Sequence, residues 1–152
     1  MADSANTVRL HRVLRASAEH VYQAFLDPAA RERWLPPYGY LGKVHESDAR
    51  VGGAYHMSFT NFGTGEMHSF RGRYVELTPH QRIRYSDTFD DPNLPGEMTV
   101  TVTLAEVSCG TDLQIVQENI PAAIPSEMCY LGWQESLSQL AKLVEHGMTA
   151  AK

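Results

Sequence analysis

The sequence predicts an α+β domain in which a curved antiparallel sheet wraps around one long carboxy-terminal helix. Three observations carry this expectation. Strand-length segments separated by turn residues fill the chain between Lys43 and Gln117, two short helical segments follow the first strand, and one long amphipathic helix comes last. A sheet with a single apolar face needs a cover, and the last helix is the element large enough to supply it. This is a helix-grip architecture.

The first strand covers residues 7–14, where Val8, Leu10 and Arg12 share one face and Arg9, His11 and Val13 the other. That is the imperfect period of two of a half-buried strand. Ser17 then caps a helix whose Val21, Phe25 and Leu26 recur at helical spacing, and Asp27-Pro28 stops it and caps a second short helix over 28–34. The prolines of Leu35-Pro36-Pro37 end that helix, since they lack amide donors and hold the preceding residue extended.

About six strands follow. Gly52-Gly53 leads into residues 54–60, with Tyr55, Met57 and Phe59 alternating with His56, Ser58 and Thr60. Turns at 61–65 and 78–80 introduce segments 67–77 and 82–89, and the loop 90–96 leads into 98–104. There Met98, Val100, Val102 and Leu104 face a core and the intervening threonines face water. Ser108-Cys109-Gly110 closes a hairpin into 111–117, with Leu113 and Ile115 inward. The long helix spans 126–146 and is expected to end at Gly147. Trp133, Leu137, Leu140, Ala141 and Val144 form its packing stripe, and Gln134, Glu135, Gln139, Lys142 and Glu145 its wet side.

With 152 residues, 43% hydrophobic and 20% charged, the chain has the material for one core and one domain. That domain is placed at 7–147, with flexible ends at 1–6 and 148–152. A net charge of −5 argues against nucleic acid and anionic membrane as partners, because phosphate neutralisation needs clustered Lys and Arg. The amino-terminal residues lack a secretion-signal profile, no apolar run approaches the ~20 residues that cross a bilayer, and so a cytoplasmic protein without membrane insertion is expected. Cys109 and Cys129 form neither a disulfide framework nor a CxxC pair, and free thiols fit a reducing compartment.

The residues also resemble a known family. Ala29-Ala-Arg-Glu-Arg-Trp-Leu-Pro-Pro37, Arg50-Val-Gly-Gly53, Arg71-Gly-Arg-Tyr-Val-Glu-Leu-Thr-Pro79, Arg82-Ile-Arg-Tyr85, Gly110-Thr111 and Gly132-Trp133 look like the bacterial activator-of-heat-shock-protein-90-ATPase-homologue-like branch of the START-related superfamily. The likeness runs from about Val8 to Glu145. It implies a cavity between sheet and helix that takes an apolar small molecule in many relatives. The family usually has a second aromatic and a glycine after the tryptophan matched by Trp34, whereas this chain reads Leu35-Pro36-Pro37. The glycines read as fold devices: Gly52 and Gly53 for a tight turn, Gly72 for a bulge or close backbone approach, Gly132 for close approach of helix to sheet.

No recognisable chemistry motif stands out. The seven histidines show no metal-ligand spacing, no phosphate or dinucleotide loop or nucleophile elbow occurs, and no metal or cofactor is expected. Asp90 and Asp91 read as solvated loop residues that form turns. Strand parity, however, points Asp87 and Gln117 inward, either to a wet strand end or to a partner in a cavity. Trp34, Met57, Phe59, Phe70, Tyr85 and Trp133, with Tyr38 at the mouth, are the candidate wall of a small-molecule pocket. The expected function is binding of a hydrophobic or aromatic metabolite, lipid- or polyketide-like, without covalent chemistry. Two alternatives stay open: a cyclase- or hydrolase-like enzyme using Asp87, Gln117 or a cavity tyrosine, and a co-chaperone role. A homodimer or a chaperone partner fits within these readings. Trp133→Ala is expected to cost mainly stability, and Trp34→Ala, beside the proline loop, mainly ligand affinity.

Overall fold

The computed structural model describes residues 6–150. The element order is β1 (Val8–Leu14), α1 (Ala18–Leu26), α2 (Pro28–Trp34), β2 (Tyr40–Ser47), β3 (Ala54–Asn61), β4 (Met67–Thr78), β5 (Arg82–Phe89), β6 (Met98–Val107), β7 (Gly110–Glu118) and α3 (Ser126–Ala150). All strands join one seven-stranded sheet in the order β1-β7-β6-β5-β4-β3-β2, and every neighbouring pair is antiparallel. The sheet curls around α3, the helix-grip arrangement expected of the sequence.

Local chemistry explains the short elements. Ser17 Oγ accepts from His20 N at 3.1 Å to start α1, and Asp27 Oδ1 accepts from Ala30 N at 3.1 Å to start α2, with Pro28 in its first turn. Both side chains satisfy an amide that has no partner inside its helix. Met98, Val100, Val102 and Leu104 of β6 and Leu113 and Ile115 of β7 are buried, meeting α1 residues Val21 and Phe25 and α3 residues Leu137, Leu140 and Val144 in one core. Gly52 has φ +85, as its turn requires. Gly72 is tied to a close approach: a Cβ there would collide with the Ser86 carbonyl and lie 2.8 Å from Tyr55 Oη.

Four expectations need correction. α3 does not stop at Gly147 but runs to Ala150, because this glycine keeps helical geometry. Gln139 is not on a wet face: its Nε2 donates to Trp34 O at 3.0 Å and Pro36 O at 2.6 Å, tying α3 to the proline loop. Gly132 does not bring helix and sheet together, since an added Cβ would meet nothing within 4 Å. Asp90 is more than a turn former, because Ser69 Oγ donates to its Oδ2 at 2.6 Å and Arg71 Nε to its Oδ1 at 2.7 Å. Hydrogen bonds from Arg71 and Ser69 hold its carboxyl well below the ordinary range. Asp91 does form the expected turn, accepting from Asn93 N. Of the ends expected to be flexible, residues 1–5, 151 and 152 lie outside the described residues.

Candidate functional site

A cavity of about 180 Å³ lies among the inner faces of β3, β4, β5 and β7, the start of α3 and the α2–β2 connection. Strand alternation sends Phe59 (β3), Phe70 (β4) and Tyr85, Asp87 and Phe89 (β5) toward it. Phe59 and Phe70 meet edge to face with ring centroids 4.9 Å apart. From α3 come Cys129, Gly132, Trp133 and Ser136; from the connection, Leu35 and Pro37. Ser136 Oγ donates to Leu35 O at 2.5 Å, which closes the connection onto α3.

The polar groups of the wall are individually anchored. Trp133 Nε1 donates to Gln117 Oε1 at 2.8 Å, while Gln117 Nε2 lies 3.3 Å from Met98 Sδ. Gln117 is therefore held inside the core by a ring that itself lines the cavity. Asp87 belongs to a tighter node. Tyr55 Oη lies 2.8 Å from both Ser86 O and Asp87 Oδ1. A phenol has one hydrogen to give: Tyr55 directs it to one acceptor or shares it between the two when Asp87 is ionised, and each contact becomes a hydrogen bond of its own when the Asp87 carboxyl is neutral and donates to Tyr55 Oη. Burial pushes Asp87 up to about 7, against the opposing pulls of the Tyr55 hydrogen bond and the Arg31 charge. Asp87 keeps some accessible surface, and the cavity it lines accounts for that. Burial likewise raises the Tyr55 and Tyr85 phenols, which stay neutral.

Arg31 completes the wall. It is only 4% exposed, stacks its guanidinium carbon 4.9 Å from the centre of the Tyr55 ring, and donates from Nη1 to Tyr74 Oη at 3.3 Å. Among the described residues no carboxylate oxygen lies within 4.0 Å of it. His68, exposed at the rim, is the remaining titratable group from β4. The site thus pairs an aromatic, mainly apolar body with a buried cation and a carboxyl poised near neutrality.

A family model described as Activator of Hsp90 ATPase homolog 1-like protein matches residues 15–145. The chain belongs to this family. Protein CV1439 from Chromobacterium violaceum is 65% identical, with a TM-score of 0.91 over 92% of this chain and 97% of that one. A protein from Rhodobacter sphaeroides shares 23% identity over 100% of this chain and 97% of its own, with a TM-score of 0.80. An AHSA1-like protein from Aeromonas hydrophila shares 21% identity over 93% of each chain, with a TM-score of 0.74. The last two likenesses concern the fold. No curated protein matches the chain.

Against this family background, the sequence-derived candidates divide cleanly. Phe59, Phe70, Tyr85, Asp87, Gln117 and Trp133 come together on the cavity. Trp34, Met57 and Tyr38 do not line it. Trp34 is 1% exposed, meets Phe25 edge to face with ring centroids 4.7 Å apart and donates from Nε1 to Ala24 O at 2.8 Å, so it belongs to the α1–α2 core. Met57 is fully buried, and the Tyr38 ring is exposed with its backbone N donating to Glu135 Oε1. Sequence reasoning missed Arg31, although a signal existed: Arg31 precedes Trp34 by three residues and so shares its helix face. It also missed that Leu35 and Pro37, where the chain departs from the usual family pattern, would form cavity wall. Among the described residues no helix is long and apolar enough to cross a membrane.

Proposed function

We propose that this protein is a cytoplasmic binding protein for a small aromatic or hydrophobic metabolite, held in the cavity between sheet and α3. The observation that carries the reading is the composition of one wall: Phe59, Phe70, Phe89 and Trp133 supply apolar surface, while Arg31, Asp87 and Gln117 supply a few converging polar groups. Such a combination is what a small-molecule site requires. The volume of about 180 Å³ is slightly above the ~150 Å³ of a cavity that accepts benzene, so a ligand of roughly one ring is the matching size. Native mass spectrometry and a thermal-shift screen of single-ring aromatics, short acyl chains and polyketide-like fragments test it. Saturation at ~100 times the Kd stabilises the native state by ~2.7 kcal/mol, which moves Tm by several degrees in a domain of this size. A uniform absence of shifts at millimolar ligand overturns the reading.

A second reading follows from Asp87, a buried carboxyl beside a phenol with its proton poised near neutrality. These are properties of a general acid–base group. Under this reading a bound compound is converted, and Asp87→Asn retains binding while abolishing turnover. Chemical analysis of the ligand after incubation with each protein separates the two: unchanged ligand from the unaltered protein favours binding alone.

A further inference from the structure

The cavity has a charge pattern that narrows the class of ligand, if the binding reading above holds. Arg31 is a buried guanidinium on its wall with one long hydrogen bond, to Tyr74 Oη at 3.3 Å, and a ring face beneath it. A guanidinium has five N–H donors, and a buried charge is costly unless an opposite charge or several acceptors answer it. Among the described residues no carboxylate stands within ion-pair distance of Arg31. Asp87 is the one carboxyl on the wall among the described residues, and its Oδ1 is engaged by Tyr55 instead. We propose that the cavity selects a single-ring or similarly compact carboxylic acid, whose carboxylate pairs with Arg31 and whose binding requires Asp87 to be neutral.

Arg31 and the hydrogen-bond node together support this linkage. With Asp87 neutral, its O–H donates to Tyr55 Oη, the Tyr55 hydrogen goes to Ser86 O, and every member of the node is satisfied. The wall then carries the Arg31 charge alone. With Asp87 ionised, Tyr55 turns its hydrogen to the carboxylate, Ser86 O loses its donor, and the new negative charge repels an incoming anion while drawing on Arg31. The groups that face this region are Arg31 from α2, Tyr55 from β3, Tyr74 and His68 from β4, Tyr85 from β5 and Cys129 from α3. Burial raises Tyr55, Tyr85 and Cys129, so none of these three adds an anion near neutrality. Burial also places the Asp87 transition itself at about 7. An anion bound nearby raises it further, so binding takes up a proton and weakens with rising pH.

Calorimetric titration with 3-phenylpropanoate and its uncharged amide, at about pH 6 and about pH 8.5, tests the proposal. The acid is ionised at both values, so a change in its affinity reports the protein. Expected for the unaltered protein is a preference for acid over amide of about tenfold or more at the lower pH, the scale of a charged hydrogen bond. That preference shrinks by up to about tenfold per pH unit once Asp87 ionises. Asp87→Asn is expected to keep the acid preference and lose its pH dependence, a loss that a pH dependence arising from the His68 imidazole at the rim would not show. Arg31→Gln loses the preference but still binds the amide; if that variant fails to fold, the acid–amide and Asp87→Asn comparisons decide alone. Equal binding of acid and amide overturns the charge assignment and leaves the cavity reading standing. A pH-independent preference, or an unchanged pH dependence in Asp87→Asn, overturns the linkage to Asp87. Binding of neither probe removes the cavity reading for ligands of this size, and the present proposal with it.

Discussion

Trp34 and Trp133 are both buried, but different surroundings hold them, and that reverses the contrast their sequence neighbours suggest. Trp34 packs on Phe25 and bonds Ala24 O, away from the cavity. Trp34→Ala should therefore cost roughly 3–5 kcal/mol of stability, the range for deleting a buried Trp or Phe. Its effect on ligand affinity should be small. Trp133 is a cavity wall and the donor that satisfies Gln117, so Trp133→Ala enlarges the cavity and leaves a buried amide oxygen without its partner. It should lower both stability and affinity. Urea denaturation with ligand titration checks the pair: a stable Trp34→Ala with weakened binding would restore the opposite assignment. The proline loop after Trp34 made the ring look peripheral in the sequence; its burial depends on α1, which local sequence does not reveal. Asp87 and Gln117 were legible as inward polar groups from strand parity alone. Their partners, Tyr55 and Trp133, lie on other elements and were not.

At the scale of elements, two glycines separate backbone necessity from open space. At Gly72 a Cβ would strike the Ser86 carbonyl, and the same region holds the Tyr55–Ser86–Asp87 node. Gly72→Ala should force β4 and β5 apart and cost on the order of 1–3 kcal/mol, as overpacking does. Gly132 sits in α3 on the cavity edge with no atom within 4 Å of an added Cβ. Gly132→Ala should stabilise the protein by roughly 0.5–1 kcal/mol through helix propensity. Thermal and urea unfolding of both variants suffice, and loss of stability in Gly132→Ala would mean that the helix packs more tightly there than the structure has it. The helical stripe Trp133, Leu137, Leu140, Ala141 and Val144 was readable because a long helix repeats its inward face several times. α2 has seven residues, so its inward face shows only once, in the i, i+3 pair Arg31 and Trp34, and that pair marks Arg31 as inward only when Trp34 is itself read as buried.

For the whole molecule, the element order and the sheet followed from alternation and turn chemistry, whereas the charge state of the core depends on how distant elements converge. That charge state sets the pH profile of stability. Asp87 has an ordinary value near 3.8 and is raised to about 7 by burial in the native protein. Between these values the native state holds a proton that the unfolded chain has released. Stability contributed by Asp87 is therefore full below the unfolded value and is lost as pH rises through about 7. The loss is on the order of a few kcal/mol, one pKa unit being ~1.4 kcal/mol. Asp90 acts in the opposite sense: hydrogen bonds from Arg71 and Ser69 depress it, so its contribution is present above the unfolded value and is lost on acidification. The two together place maximum stability in mildly acidic solution, with Asp90 limiting it on the acid side and Asp87 on the neutral side. Urea unfolding across this range should show midpoints falling from about pH 5 to about pH 8 in the unaltered protein. Asp87→Asn should abolish that decline without changing the acid limb, while Asp90→Asn should do the reverse. A flat profile in the unaltered protein, or the same decline in Asp87→Asn, would mean that the carboxyl is ionised inside the native core. The Tyr55 hydroxyl would then face two acceptors with a single hydrogen.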